Sequence, residues 1–138
     1  MDKIYKDSSS DEWFYPKDFY ILSETNHDGT ILYANDTFCE LAGYSEGELL
    51  GEPHNILRHK DMPKIAFQGL WDDVKNKGFW VGIVKNLRKD AGYYWVKATV
   101  LKKVDSNGNI TYLSIRTLPT REEVNSASAL YKELRKQE

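Results

Sequence analysis

Hydrophobic and polar positions along this chain change period several times, and the changes mark out its elements. Residues 19–25 (FYILSET) and 30–34 (TILYA) are short runs rich in aromatic and branched side chains. Asn26-His27-Asp28-Gly29 separates them, and its Asp-Gly pair is a hairpin signal, so the two runs are expected to be paired strands. The period then lengthens. Asn35-Asp36-Thr37 is a helix-start cluster in which Asp36 is the expected N-cap, Phe38, Leu41 and Ala42 form an apolar face, and Gly43 is the stop. Ser45 and Glu48 have capping-box spacing and begin another helical turn. The stretch 52–61 (EPHNILRHKD) is too polar and too short to be a core element by itself. Asp61 is the expected N-cap of a longer helix that tolerates Pro63 in its first turn. Ala66, Leu70 and Val74 recur every four residues in that helix, with Phe67 and Trp71 beside them, until Asn76-Lys77-Gly78 closes it.

Three strands are expected next, over 79–88, 92–104 and 110–118, turning at Asp90-Ala91-Gly92 and at 105–109. Thr120 and Glu123 repeat the capping-box spacing ahead of an amphipathic exit helix whose stripe is Val124, Ala127, Leu130, Tyr131 and Leu134. Residues 1–17 read as an arm, polar at Ser8-Ser9-Ser10, with three adjacent aromatics, Trp13, Phe14 and Tyr15, that are too apolar to stay solvated. The order is two strands, a block of helices, three strands and an exit helix, which is an α+β architecture. If all five strands join one sheet, the helical block covers one face and leaves room between for a ligand. The chain divides into an arm (1–17), a sensor-sized domain (18–119) and an exit helix or linker (120–138).

Composition narrows the function classes. With 138 residues the chain has room for one core and one small pocket. A net charge of -2 argues against a nucleic-acid partner. Cys39 is the single cysteine, so an internal disulfide is excluded, a metal site is not expected, and a reducing, cytoplasmic setting is. The N-terminus lacks the apolar region of a signal peptide, and no run is long and apolar enough to insert into a membrane. Nucleophile-elbow, P-loop and dinucleotide-fingerprint motifs are absent and no carboxylates pair, so catalysis is not expected. Four Trp and nine Tyr are many for this length; most serve packing, and a few suit the walls of a pocket for a flat ligand.

Strand 79–88 carries the most specific candidate chemistry. Alternation puts Trp80, Gly82, Val84 and Asn86 on one face. An aromatic wall, a gap without a side chain and an amide that both donates and accepts would suit a ring such as isoalloxazine. Read more simply, Trp80 is core and Asn86 is a polar strand end, and alternation alone favours that. Tyr94, Val96, Ala98 and Val100 share a face of the next strand, as do Tyr112, Ser114 and Arg116 of the last, but alternation does not say which faces point inward. Arg58 has the planar donor set that suits a phosphate, His59 is a candidate hydrogen-bond partner or metal ligand, and Asp61 is first of all a helix cap. A charged Arg-His-Lys-Asp run is more often solvated surface.

Beyond these patterns, Tyr33-Ala34-Asn35-Asp36-Thr37-Phe38 with Ala42-Gly43-Tyr44 resembles a PAS domain core. The stretch from Gly51-Glu52-Pro53-His54-Asn55 through Arg58-His59-Lys60-Asp61-Met62-Pro63 is similar to the N-terminal PAS domain of bacterial aerotaxis receptors, and Gly78 through Asn86, Tyr94-Trp95-Val96 and Ser114-Ile115-Arg116-Thr117 continue the resemblance. Lys60 and Asp90-Ala91-Gly92 depart from it. The resemblance implies a five-stranded antiparallel sheet with non-covalent FAD between sheet and helices, working as a redox sensor for chemotaxis. It implies cofactor-binding or cofactor-affecting roles for Arg58, His59, Asp61, Trp71, Trp80, Asn86 and Asn35. It also implies downstream signalling segments of the same receptor as partners. Light-sensing flavin relatives use a cysteine on the short helix before the longer one; residues 53–61 contain none, Asn55 stands near that place, and adduct chemistry is not expected. Two other readings stay open. One is a haem gas sensor with His54 or His59 as axial ligand; the other is a ligand-free module that homodimerises through the arm or the exit-helix stripe.

Overall fold

The structure, a computed structural model, describes residues 3–138, so the first two positions of the arm lie outside the described residues. Seven strands and four α-helices follow one another: β1 (Tyr5–Lys6), β2 (Trp13–Phe14), β3 (Ile21–Asn26), β4 (Ile31–Ala34), α1 (Asp36–Ala42), α2 (Glu46–Leu49), a 3-10 turn (His54–Leu57), α3 (Lys64–Lys77), β5 (Phe79–Leu87), β6 (Tyr93–Val104), β7 (Ile110–Thr117) and α4 (Arg121–Arg135). β1 and β2 form a small antiparallel pair inside the arm, and the other five strands form one antiparallel sheet in the order β4-β3-β7-β6-β5.

Burial settles the orientation that alternation left open. Ile21, Ser23 and Thr25 of β3, Val84 and Asn86 of β5, Tyr94, Val96, Ala98 and Val100 of β6, and Tyr112 and Arg116 of β7 are all buried. These positions share the inner face, under α1, α2, the 3-10 turn and α3. Gly82, Ala98, Arg116 and Ile21 are successive cross-strand partners, and so are Trp80, Val100, Ser114 and Ser23. Small side chains at Ala98, Ser114 and Ser23 therefore recess the middle of the sheet.

Several boundaries follow the expected chemistry. Both capping boxes form, Ser45 with Glu48 and Thr120 with Glu123. Gly43 and Gly78 end their helices at φ 76 and 89, a conformation that costs glycine little and other residues more. Two caps differ from expectation. Asn35, not Asp36, caps α1: its Oδ1 accepts from the Phe38 N–H at 3.0 Å and also from the Leu22 N–H at 3.1 Å, while its amide donates to the Tyr20 carbonyl at 2.8 Å. A carboxylate has no N–H to give Tyr20, so an amide serves here better. Asp61 does not cap α3 either. Pro63 stands at that position without a side-chain cap, and the Asp61 carboxylate meets Lys85 Nζ at 2.9 Å.

The arm and α4 occupy the outer face. Tyr15 is buried and its hydroxyl donates to the Trp95 carbonyl at 2.7 Å. Arg88 lies 3.7 Å from the centre of the Trp13 ring, and Phe14 stacks on Tyr5 at 5.6 Å. Val124, Ala127 and Tyr131 of α4 pack with Tyr15 and Trp95 in the main core, while Leu130 remains exposed. Glu12 joins arm to helix by pairing with Arg121 at 2.8 Å. The aromatics and the stripe expected to mediate self-association are thus largely spent inside the chain, because burying them on the sheet's own apolar outer face needs no second molecule.

Replacing Asn35 with Ala removes a cap and two backbone ties at once. It should lower unfolding stability by about 1–3 kcal/mol, read as a shift in the urea midpoint at unchanged slope. A midpoint within about 0.3 kcal/mol of the parent would show that water replaces these bonds without cost.

Candidate functional site

A cavity of about 470 Å³ lies between the inner face of the sheet and the helical block. Its volume falls within the roughly 300–1,000 Å³ of small-molecule sites. β3, β5, β6 and β7 contribute the floor with Ser23, Thr25, Val84, Asn86, Val96, Ala98, Val100, Tyr112, Ser114 and Arg116. Leu57 and Arg58 close one side, Phe67, Leu70 and Trp71 of α3 cover it, and His27, Asp28 and Lys75 stand at the mouth. Trp71 meets Tyr112 edge-on with ring centres 5.1 Å apart, so flat aromatic surface bounds the hollow on the α3 side.

Among the residues singled out from sequence, Arg58, Trp71 and Asn86 line this cavity. Asn86 is buried, and an isolated antiparallel bridge joins its backbone to that of Arg58, which clips the chain after the 3-10 turn onto the exposed edge of β5. The Arg58 guanidinium lies over the Phe67 ring at 4.5 Å. It also borders a second groove, of about 660 Å³, lined by His59, Lys60, Lys64, Arg135 and Glu138 among others.

Asn35, His59, Asp61 and Trp80 do not line the cavity. Asn35 is the α1 cap described above. His59 is buried at the β5 edge: its Nδ1 accepts from the Asp61 N–H at 3.0 Å, and its ring meets Tyr93 edge-on at 5.9 Å. Burial and the nearby Lys85 hold its imidazole below the ordinary range. The Asp61 carboxyl is held low, first by its hydrogen bond from Lys85, and Lys85 sits in turn 4.2 Å above the Tyr93 ring on the outer face. Trp80 is on the expected strand face, but its indole folds across Gly82. A Cβ at Gly82 would lie 2.3 Å from the ring, so the gap expected there for a ligand is filled by this side chain. Cys39 sits on α1 away from the cavity wall, and burial pushes its thiol up.

Two groups outside the residues expected to contact flavin turn out to be central: Arg116, which alternation only places on a strand face, and His54, which the haem reading offers as an axial ligand. Arg116 is 2% exposed and lines the cavity. One of its amino groups donates to the Ser23 hydroxyl and the other to His54 Nε2 at 3.2 Å, while its Nε has no partner. Its guanidinium also lies 4.5 Å above the Phe38 ring. Burial lowers its pKa to about 10, which leaves it charged at neutral pH. Guanidinium can only donate, so His54 Nε2 must be the accepting nitrogen and the imidazole is neutral. Burial, together with the Arg116 charge, lowers the His54 pKa to about 3. Nearby, the Tyr94 hydroxyl is buried without a hydrogen-bond partner, and burial raises it to about 12. The available signal was an arginine at the third position of the Tyr112, Ser114, Arg116 alternation, a charge on a face whose neighbours are apolar or small.

Comparisons with known proteins agree with this architecture. A family model described as the PAS fold matches residues 31–115. The chain is 44% identical over 117 residues to the aerotaxis receptor of Escherichia coli strain K12, covering 85% of this chain and 23% of that protein. It is 29% identical over 91 residues to a nitrogen fixation regulatory protein of Klebsiella oxytoca, covering 66% of this chain and 18% of that one. The light-state structure of the blue-light photoreceptor Aureochrome1 LOV superposes with a TM-score of 0.66 at 25% identity, over 78% of this chain and 90% of that one. The chain thus spans under a quarter of the length of these two sensory and regulatory proteins. Among the described residues no helix is long and apolar enough to cross a membrane.

The sign of the acid response follows from His54. Its native pKa of about 3 lies below the ordinary 6.5, so between those values the unfolded chain takes up a proton that the native chain refuses. Stability should be fully present above about pH 6.5 and fall as pH drops through that window. His59, shifted in the same direction, adds to the fall. Urea midpoints between pH 7 and 4 should show the loss, and His54→Gln should flatten the curve. An equally steep curve in that variant would assign the acid response elsewhere.

Proposed function

Because this chain belongs to the PAS fold family, we propose that its cavity holds the ring system of a non-covalently bound FAD and that the domain reports the redox state of that cofactor. The observation that carries this reading is the wall chemistry: aromatic surface at Trp71 and Tyr112, a buried amide at Asn86 and an under-satisfied guanidinium at Arg116 around one flat hollow. A planar ring with donors and acceptors along its edge would satisfy all three, and 44% identity to an aerotaxis receptor supports the same class of ligand.

In this reading each side chain has a distinct task. Asn86 faces the polar edge of the ring with both a donor and an acceptor. Trp71 supplies a stacking surface. Arg58 is placed where the ring's tail would leave the cavity, so its planar donors suit a diphosphate, and the basic groove beyond it suits the remainder of FAD. His59 and Asp61 act on the ligand through the Arg58 segment, Asn35 through the α1–β3 junction, and Trp80 by holding the hollow's rim over Gly82. The flavin supplies electron transfer, while the protein supplies binding and orientation.

The signal route in this reading runs through β5. Val84 and Asn86 face the cavity, whereas Ile83 and Lys85 on the same strand face outward. The Ile83 carbonyl accepts from the Tyr131 hydroxyl of α4, and Lys85 holds Asp61, whose carbonyl accepts from Arg135 of α4. A small displacement of Asn86 would reach α4 across one strand, and α4 leads toward the receptor's downstream signalling segments. The domain acts as a cytoplasmic, non-catalytic module of a redox- and oxygen-responsive chemotaxis receptor; a homodimer as its working form would have to pair through surface that the arm and α4 leave free, such as Leu130.

The absorption spectrum of freshly purified protein tests the cofactor directly. Flavin bands should appear, and heat denaturation should release free FAD into the filtrate. A Soret band would transfer the cavity to haem, and a colourless protein would leave a ligand-free module. Arg58→Ala should weaken FAD retention about ten- to hundredfold, the worth of one charge-assisted contact, while riboflavin binding stays within a few-fold. Equal losses for both ligands would put Arg58 at the ring rather than at the diphosphate.

A further inference from the structure

Two buried hydrogen-bond donors meet at one end of the cavity with no acceptor between them. The first belongs to Arg116. A guanidinium at 2% exposure ordinarily faces a carboxylate, because an unpaired charge in low dielectric is costly. Among the described residues that line the cavity, the only carboxylate is Asp28, which stands at the mouth in contact with the His27 ring at 3.2 Å. Arg116, Arg58 and Lys75 line the same cavity, so positive charge prevails there. Ser23 and His54 accept from the two amino groups of Arg116, and neither brings a negative charge. The Arg116 Nε–H has no partner.

The second donor is the Tyr94 hydroxyl. It is fully buried, has no hydrogen-bond partner and acts on Arg116 through space. The Asn86 side chain, part of the cavity floor, stands beside that hydroxyl. A buried donor left without an acceptor costs its full desolvation, and a charged one costs more. An acceptor that also carries negative charge would remove both costs together.

We propose that the Arg116–Tyr94 end of the cavity is a binding site for a small monovalent inorganic anion of the chloride class. The donor set decides the class. A carboxylate is matched by two parallel N–H groups, and Arg116 has only Nε–H left to give, its amino groups being held by Ser23 and His54. A monatomic anion needs no fork and accepts from single donors in any direction, here an N–H and an O–H. The site rests on this chain's own residues and not on the flavin reading. Where that reading holds, the polar edge of the ring and the anion call on the same Arg116 N–H. The two then exclude each other, and chloride sets how tightly the cavity holds its ring.

The test compares sodium chloride with sodium gluconate, whose anion is too large for the site, at fixed ionic strength on the protein as purified. In protein that carries flavin, the apparent dissociation constant of the flavin should rise with chloride, about tenfold once chloride exceeds its own dissociation constant tenfold. In colourless protein the thermal midpoint should climb with chloride instead, since an anion that binds only the native state stabilises it. Sodium bromide should act like chloride in either case. Arg116→Gln should abolish the effect, and Tyr94→Phe, which removes one donor and keeps the ring, should weaken it about tenfold. Chloride and gluconate acting alike on the parent would overturn the proposal whether or not the variants fold. An undiminished chloride effect in folded Arg116→Gln would overturn it too, by placing the anion elsewhere. Colourless protein whose midpoint climbs defeats the flavin reading and leaves this site standing, whereas flavin-loaded protein indifferent to chloride defeats this proposal alone.

Discussion

The two-faced alternation of β5 is the constraint on which the rest depends. Successive side chains of a strand must point to opposite faces. At β5 both faces are in use: Val84 and Asn86 floor the cavity, while Ile83 and Lys85 meet α4 and the Asp61 segment. As an edge strand β5 has a free row of backbone groups, and the chain uses it to clip Arg58 opposite Asn86. One strand therefore positions a cavity wall, a cavity-mouth arginine and the exit helix. A register slip by one residue would exchange all of these at once.

The cavity exists because the sheet is recessed where neighbouring rows carry Ala98, Ser114 and Ser23, while Trp71 and Tyr112 stand beside the recess. A core built for stability alone would fill such a volume, since residual cavities cost stability in proportion to their size. The buried Arg116, the unpartnered Tyr94 hydroxyl and the depressed His54 add polar cost to the same place. Burial elsewhere offsets that cost. The apolar cluster joining Tyr15 of the arm, Trp95 of β6, and Val124, Ala127 and Tyr131 of α4 buries large side chains on the opposite face, each worth roughly 1.5–3 kcal/mol when fully buried. The same core continues on the inner face through Ile21, Phe38, Leu41, Leu49 and Leu57, so the hollow is bordered by packed apolar side chains on both sides of the sheet.

The same arrangement explains why His59 and Asp61 lie off the cavity yet bear on it. They lock the segment that follows Arg58 to Lys85, and the Asp61 carbonyl holds Arg135. A partly exposed pair such as Asp61–Lys85 contributes little stability by itself, about 0–1 kcal/mol. Its consequence is geometric: it fixes how the Arg58 backbone meets β5.

Local chemistry was legible along the chain wherever nearest neighbours decide the outcome. Both capping boxes, the Gly43 and Gly78 stops, the five strands of the sheet and the α+β order follow from propensities and spacings within a few residues. The grouping of Trp80, Gly82, Val84 and Asn86 on one face is equally local, because it needs only the strand's period of two. Only the tertiary structure decided which faces turn inward, that Trp80 covers Gly82 instead of leaving a gap, that Asn35 rather than Asp36 serves as the cap, and that Asp61 turns to Lys85. Each of these depends on a partner distant in sequence: the β3 backbone for Asn35, β5 for Asp61, and His54 and Ser23 for Arg116. A side chain's period can be read from its neighbours, but its burial and its hydrogen-bond partners are set by what the fold brings across from it.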